Sequence, residues 1–208
     1  MILKLDRGIL IVFEGIDGTG KSTQRGLLAD SLKAQQVPHI ALAEPTQGQW
    51  GMKIRKLLSE GRQGISPEEE LSWFVNDRKE DIELNILPAL QDPKVVIMDR
   101  YYYSTAAYQG ALGLDPELIR LANEEFAPIP DRVLIFLTSP ETCLERIESS
   151  RDKKSAFEKL DYLNNVQDIF KSFKGPNISF INSVGSIAEV HGKVLAAVND
   201  LFDFELKS

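Results

Sequence analysis

Read for its alternation of apolar and polar positions, the chain breaks into short buried runs separated by amphipathic stretches. Ile9-Leu10-Ile11-Val12-Phe13 is an unbroken apolar run of the kind a parallel strand covered on both faces requires. From Gln24 to Gln35 the spacing turns helical, through Leu27, Leu28 and Leu32. Val37 to Ala43 predicts a second short strand. After Met52, the spacing of Ile54, Leu57 and Leu58 predicts a short helix ended by Gly61, with Arg55 on its polar face. Ser66-Pro67-Glu68-Glu69 predicts a helix start, with a serine cap, proline in the first turn and glutamate placed for a capping box. That helix is expected to run through Leu71, Phe74, Ile82, Ile86 and Leu87, with Phe74 and Arg78 sharing one face.

The alternation continues to the C-terminus. Val95-Val96-Ile97-Met98 predicts a third strand with Asp99-Arg100 at its tip, and Asp115-Pro116 caps a helix through Leu118, Leu121 and Phe126. Arg132 to Leu137 predicts the fourth strand, and Ser139-Pro140 starts a helix bearing Leu144, Arg146 and Ile147. Phe157 to Phe173 has helical spacing and is stopped by Gly175-Pro176. Ile178 to Ile181 is the fifth strand, and Ser186 with Glu189 forms a second capping box before a helix through Val190, Val194, Val198 and Leu201. Strands alternating with helices imply an α/β fold, a five-stranded parallel sheet flanked by helices.

Composition narrows the classes. At 208 residues the chain suits one domain over 1–208, with a full core and room for a mobile insertion. The 43% apolar and 26% charged content is that of a soluble globular protein, and no stretch approaches the eighteen or so apolar residues a membrane helix needs. Met1 to Arg7 lacks a charged start, apolar middle and cleavage site, so the expected location is the cytoplasm, without a membrane partner. A net charge of −7 argues against broad nucleic-acid binding but leaves small anionic substrates open. The lone Cys143 reads as a packed thiol, and His39 and His191 have no neighbours at zinc-ligand spacing.

The candidate chemistry starts at Gly15-Ile16-Asp17-Gly18-Thr19-Gly20-Lys21-Ser22, followed by Thr23, between the first strand and the first helix. The glycines let backbone N–H groups turn inward around phosphate oxygens, Lys21 can reach the terminal phosphates, and the helix N-terminus adds partial positive charge. Ser22 would offer a hydroxyl to Mg²⁺, and Asp99 at the end of a buried strand is where such enzymes hold the metal, directly or through water. Arg100 beside it can pair with a phosphoryl group. Glu44-Pro45-Thr46, just past the second strand, is expected at the ligand crevice. The stretch Tyr101-Tyr102-Tyr103 with Ser104-Thr105-Ala106-Ala107-Tyr108-Gln109-Gly110 is expected to line a pocket for a flat, polar base. The polar run Ser149-Ser150-Arg151-Asp152-Lys153-Lys154-Ser155 is either a solvated linker or a basic lid that closes over the transferring group.

Taken together, these motifs resemble those of the thymidylate kinases, P-loop enzymes that phosphorylate dTMP with ATP. Phe13 to Thr23 is similar to the family's opening motif, and Asp99-Arg100-Tyr101 with Ser104-Thr105, Ala107 and Tyr108-Gln109-Gly110 is similar to its second. Glu44-Pro45, Arg55, Phe74, Arg78, Pro130-Asp131, Arg146 and Phe157-Glu158 fall in family order, so the likeness spans roughly residues 8 to 205. It implies a P-loop nucleotide kinase fold with a short lid at about 149–156, Mg²⁺ as cofactor, ATP as donor, and a homodimer. It assigns Asp17 to the acceptor 3′-hydroxyl and Arg55 and Arg100 to the acceptor phosphate. It stacks Phe74 on thymine, sends Arg78 to O4 and Thr105 to N3, and has Tyr108 crowd a ribose 2′-hydroxyl. Ser104 and Gln109 join the acceptor side. Gly15, Gly18, Thr19, Gly20, Lys21, Ser22, Thr23 and Arg146 hold ATP, while Glu44 and Asp99 organise Mg²⁺ through water. Gly18 stands where some members carry an arginine, so the charge has to come from the lid: Arg151 first, with Lys153 and Lys154 beside it. Ala43, Thr46 and Asn76 depart from the family pattern. Lys21, Arg100 and Arg151 are then the catalytic set. The attacking phosphate oxygen is already ionised, so no histidine base is needed. Two other readings stay open: a kinase for another nucleoside monophosphate or a deoxynucleoside, and a nucleotide-binding switch without transfer.

Overall fold

A computed structural model of the chain describes residues 5–62, 64–147 and 153–207. In chain order the elements are β1 (Ile9–Glu14), α1 (Lys21–Ala34), β2 (His39–Ala43), α2 (Gln49–Glu60), α3 (Pro67–Asp81), a π-helical turn (Ile82–Ile86), α4 (Leu87–Gln91), β3 (Val95–Asp99), α5 (Tyr102–Gly110) and α6 (Pro116–Glu124). Then follow β4 (Arg132–Leu137), α7 (Pro140–Ile147), α8 (Lys153–Ser172), β5 (Ile178–Asn182) and α9 (Ile187–Val198). The strands pair in parallel in the order β2-β3-β1-β4-β5. All five therefore end at one edge, where an open sheet of this kind forms its ligand crevice.

Both faces of the sheet are covered, which is why its central strands show no polar alternation. On one face Leu10, Val12, Val96, Met98, Val133 and Ile135 pack with Tyr101, Tyr102, Tyr103, Val166 and Phe170. On the other, Ile9, Ile11, Phe13, Val95, Ile97, Leu134 and Phe136 meet Leu28, Leu32, Val194 and Val198. The capping box at Ser186 is complete, and at Ser66 the serine accepts the N–H of Glu69. Among the described residues no helix is long and apolar enough to cross a membrane.

Several elements differ from the expectation. Tyr101, Tyr102 and Tyr103 do not line a pocket: all three are buried, packed ring against ring, with Tyr103 edge-on to Phe173. Their ring area is worth more in the core than at a wet surface. The long helix after Ser66 is interrupted by the π-helical turn just before Pro88. Proline has no N–H for the carbonyl four residues back and its ring crowds that carbonyl, and a wider turn relieves both. Helix α8 begins at Lys153, four residues ahead of Phe157, so 153–156 of the expected lid form its first turn. The rest of that lid, including Arg151, lies outside the described residues.

Candidate active site

The phosphate loop is built by a strand that stops and a helix that starts without a side-chain cap. Gly15, Gly18 and Gly20 take φ values of 128°, 86° and 90°, conformations that other residues rarely adopt. The loop also lies close on its supports. A Cβ on Gly15 would sit 2.5 Å from the Phe136 carbonyl oxygen, and one on Gly18 would sit 2.6 Å from that of Cys143. Gly20 is the N-cap of α1 and offers no side-chain acceptor, which leaves the first-turn N–H groups for an anion.

The loop's side chains are held in place. Lys21 is buried, with Nζ donating to the Ile16 carbonyl at 2.9 Å and lying 3.9 Å from Asp17 Oδ1. Burial, with the Arg100 charge, brings its pKa down to about 8 against the pull of Asp17, Asp99 and Glu14. Thr19 Oγ1 also donates to Ile16, at 2.9 Å. From α7, Arg146 Nη1 donates to the Gly18 carbonyl at 2.9 Å, tying that helix to the loop. Thr19, Gly20, Thr23 and Arg146 then line a cavity of about 120 Å³ together with Gln24, Ser183, Gly185, Ile187 and Val190.

Arg100 follows β3 with a φ of 70° and approaches the same Asp17 oxygen as Lys21. Its Nη2 donates to Asp17 Oδ1 at 2.5 Å and to the Tyr108 hydroxyl at 3.4 Å. Its Nη1 donates to Ser104 Oγ at 2.9 Å and to the Gly15 carbonyl at 3.3 Å. Partial burial raises the Asp17 pKa, but Arg100 and Lys21 outweigh it and hold the carboxyl below its ordinary range. Beside this pair, Ser22 Oγ donates to Asp99 Oδ2 at 3.0 Å, so a hydroxyl and a carboxylate meet at the tip of β3. Oxygen donors of this kind suit Mg²⁺.

A second cluster lies under the β2 end. Arg78 is 1% exposed; it donates to Asn123 Oδ1 at 2.7 Å, to Thr105 Oγ1 at 3.0 Å and to Glu44 Oε2 at 2.5 Å. Of the three groups expected to organise Mg²⁺, Ser22 and Asp99 meet, while Glu44 gives Oε2 to Arg78 and its Oε1 has no hydrogen-bond partner among the described residues. Burial outweighs the pull of Arg78 and pushes that carboxyl up to about 8. Arg55 reaches from α2 to the carbonyls of Pro45 and Thr46, and Thr46 in turn holds buried Asp77 through its N–H and hydroxyl at 2.8 and 2.6 Å. Thr46 thus satisfies a buried carboxylate. Phe74 is half-buried on a separate apolar cluster of Ile54, Leu57 and Trp73. Gln109 is fully buried, and neither of its amide atoms has a hydrogen-bond partner among the described residues.

Five contributors have no role in the sequence reading. Ser183, Gly185 and Ile187 follow β5, and the rule that places ligands past strand ends could have found them. Asn123, on α6, shows no local signal. Glu14 is fully buried and bonds Tyr101 and Ser104, and burial raises its pKa to about 7. It stands in the opening motif, but only the fold reveals what it holds.

The model of the family described as thymidylate kinase matches residues 13–194. A thymidylate kinase of Akkermansia muciniphila is 43% identical over 196 residues, covering 94% of each chain. One of Desulfotalea psychrophila is 45% identical over 195 residues, covering 93% of this chain and 96% of its own. A probable thymidylate kinase of Archaeoglobus fulgidus is 41% identical over 200 residues, covering 96% and 100%. With a phosphate loop, an arginine bonded to it and a buried Arg78–Glu44 pair joined on one five-stranded parallel sheet, and with this similarity along nearly the whole length, the chain belongs to the thymidylate kinase family.

Proposed function

We propose that the protein transfers the γ-phosphoryl group of ATP to dTMP, giving dTDP and ADP. One juxtaposition carries the reading: Arg100, bonded to Asp17 and to the Gly15 carbonyl, fixes a second cation beside Lys21 at the phosphate loop, so two anions can meet there. The relatives named thymidylate kinase support the choice of acceptor. An oxygen of the dTMP phosphate attacks the γ-phosphorus, the bond to the bridging oxygen breaks, and ADP leaves with that electron pair. Lys21 and the loop N–H groups hold the donor phosphates, with Arg146 bracing the loop; Arg55 and Arg100 hold the acceptor phosphate. Asp17 takes the 3′-hydroxyl, and Phe74, Thr105, Tyr108 and Gln109 surround the nucleoside. Arg78, anchored by Glu44, forms the floor of that pocket. Ser22 and Asp99 would hold Mg²⁺, which when bound would supply positive charge against the phosphates. Arg151, outside the described residues, supplies further positive charge from the lid. We also assign the protein to the cytoplasm, as a homodimer that works without nucleic acid.

A coupled ADP-release assay across dTMP, dUMP, dCMP, dGMP and thymidine tests the reading. The expected result is the highest kcat/KM with dTMP. A better acceptor among the others overturns the substrate, and ATP binding without any acceptor turnover points to a switch.

A further inference from the structure

We infer that Glu14 is a positioning residue for this reaction, fixing the Arg100 guanidinium without touching either nucleotide. The inference rests on the reading of Arg100 as the clamp on the acceptor phosphate. Glu14 closes β1, in the middle of the sheet, and is fully buried. A carboxylate there is costly unless its oxygens are satisfied, and both go to the segment that carries Arg100. Oε1 accepts the backbone N–H of Tyr101 at 2.8 Å, and Oε2 accepts the Ser104 hydroxyl. Ser104 Oγ in turn accepts Arg100 Nη1 at 2.9 Å.

The chain has a direction. With Glu14 ionised, the hydroxyl proton is committed to its carboxylate and the oxygen's lone pairs are left to face Arg100. The Tyr101 bond acts on the backbone instead. Arg100 has a φ of 70°, and such a conformation persists only where its surroundings over-determine it. Here the Arg100 N–H bonds the Phe13 carbonyl at 2.9 Å, and the next N–H along bonds Glu14. One carboxylate thus secures both the peptide that aims Arg100 and the hydroxyl that steadies its Nη1. Nη2 is left to Asp17, whose side chain is 72% exposed, and to the Tyr108 hydroxyl.

Steady-state kinetics of the full chain with Mg²⁺, ATP and dTMP test the assignment in Glu14→Gln, Ser104→Ala and each combined with Arg100→Ala. In Glu14→Gln one amide nitrogen faces a donor, so either the Tyr101 N–H or the Ser104 hydroxyl loses its acceptor. Both single variants are expected to keep the KM for ATP within about twofold and to lose about tenfold or more in kcat/KM for dTMP. In the Arg100→Ala background the same changes are expected to cost less than about twofold, because their effect passes through Arg100. Undiminished kcat/KM in the single variants, or losses that simply multiply with that of Arg100→Ala, overturn the role. Should Glu14→Gln fail to fold, the Ser104→Ala cycle decides by itself. The unaltered protein is the control: if it does not phosphorylate dTMP, the function fails and this inference with it. If it does, and the losses multiply, only the role of Glu14 falls.

Discussion

Replacing Gly15 with alanine asks how far the sheet behind the phosphate loop dictates the loop's shape. Ordinary contact begins near 3.4 Å, and the new Cβ would lie 2.5 Å from the Phe136 carbonyl oxygen. Phe136 sits in β4, paired with Ile181 of β5, and cannot retreat without breaking the ladder. At a φ of 128° the backbone strain is about 1–3 kcal/mol, and crowding of a packed interior adds a similar amount. The sum, about 2–6 kcal/mol, is a large part of the stability of a typical domain. The loop is softer than the strand, so part of the cost is expected as displaced N–H groups and weakened ATP binding. Two other glycines separate the contributions. At Gly20, φ is 90° and nothing lies within 4 Å of a Cβ, so alanine there is expected to cost strain alone, about 1–2 kcal/mol. Gly26 lies inside α1 with open space around it, and alanine there is expected to stabilise by about 0.5–1 kcal/mol. Urea unfolding and ATP titration of the three variants give the order. A Gly15→Ala protein as stable as Gly20→Ala, with ATP affinity intact, refutes the steric argument.

Arg78→Met is expected to cost about 3–5 kcal/mol by orphaning buried Glu44, with at least half regained on adding Glu44→Gln; no recovery in urea unfolding of the pair rules out the coupling. Burial sets the folded-state pKa of Glu14 near 7, above its ordinary 4.5, so the native state holds that proton more tightly. The stability it contributes is full below about pH 4.5 and is lost toward pH 7, at most about 3 kcal/mol; unfolding curves of the unaltered protein and Glu14→Gln that stay parallel over pH 5–7 contradict this. Arg151→Ala is expected to lower turnover at least about a hundredfold with dTMP affinity nearly unchanged, and near-normal turnover removes Arg151 from the role. The thiol of Cys143 is buried with its pKa pushed up to about 11, so a thiol reagent is expected to label it only after unfolding; rapid native labelling disproves the packing.

Much of the fold is legible in the chain because its demands are local. The apolar runs of β1, β3 and β4 announce strands covered on both faces, Ser186 and Glu189 announce a helix start, and the loop glycines announce backbone that only glycine adopts easily. The resemblance of the second motif singled out Arg100, Thr105 and Tyr108. Less legible were residues whose chemistry permits two fates. Three tyrosines suit a wet pocket as well as a core, and the choice fell to the core because their rings complete the face formed by Val96 and Met98. Pro88 sits inside an apolar spacing that reads as continuous helix, and only the π-helical turn shows how the chain passes it.

Sequence alone therefore determined where the backbone turns, which runs are buried and which groups can bind phosphate, since each depends on neighbours a few residues apart. The fold decided which charges meet. Glu44 finds Arg78, and Glu14 reaches Arg100 through Ser104, because the order β2-β3-β1-β4-β5 sets the ends of β2 and β1 on either side of β3. That order is a property of crossovers closing over tens of residues, and no local pattern encodes it.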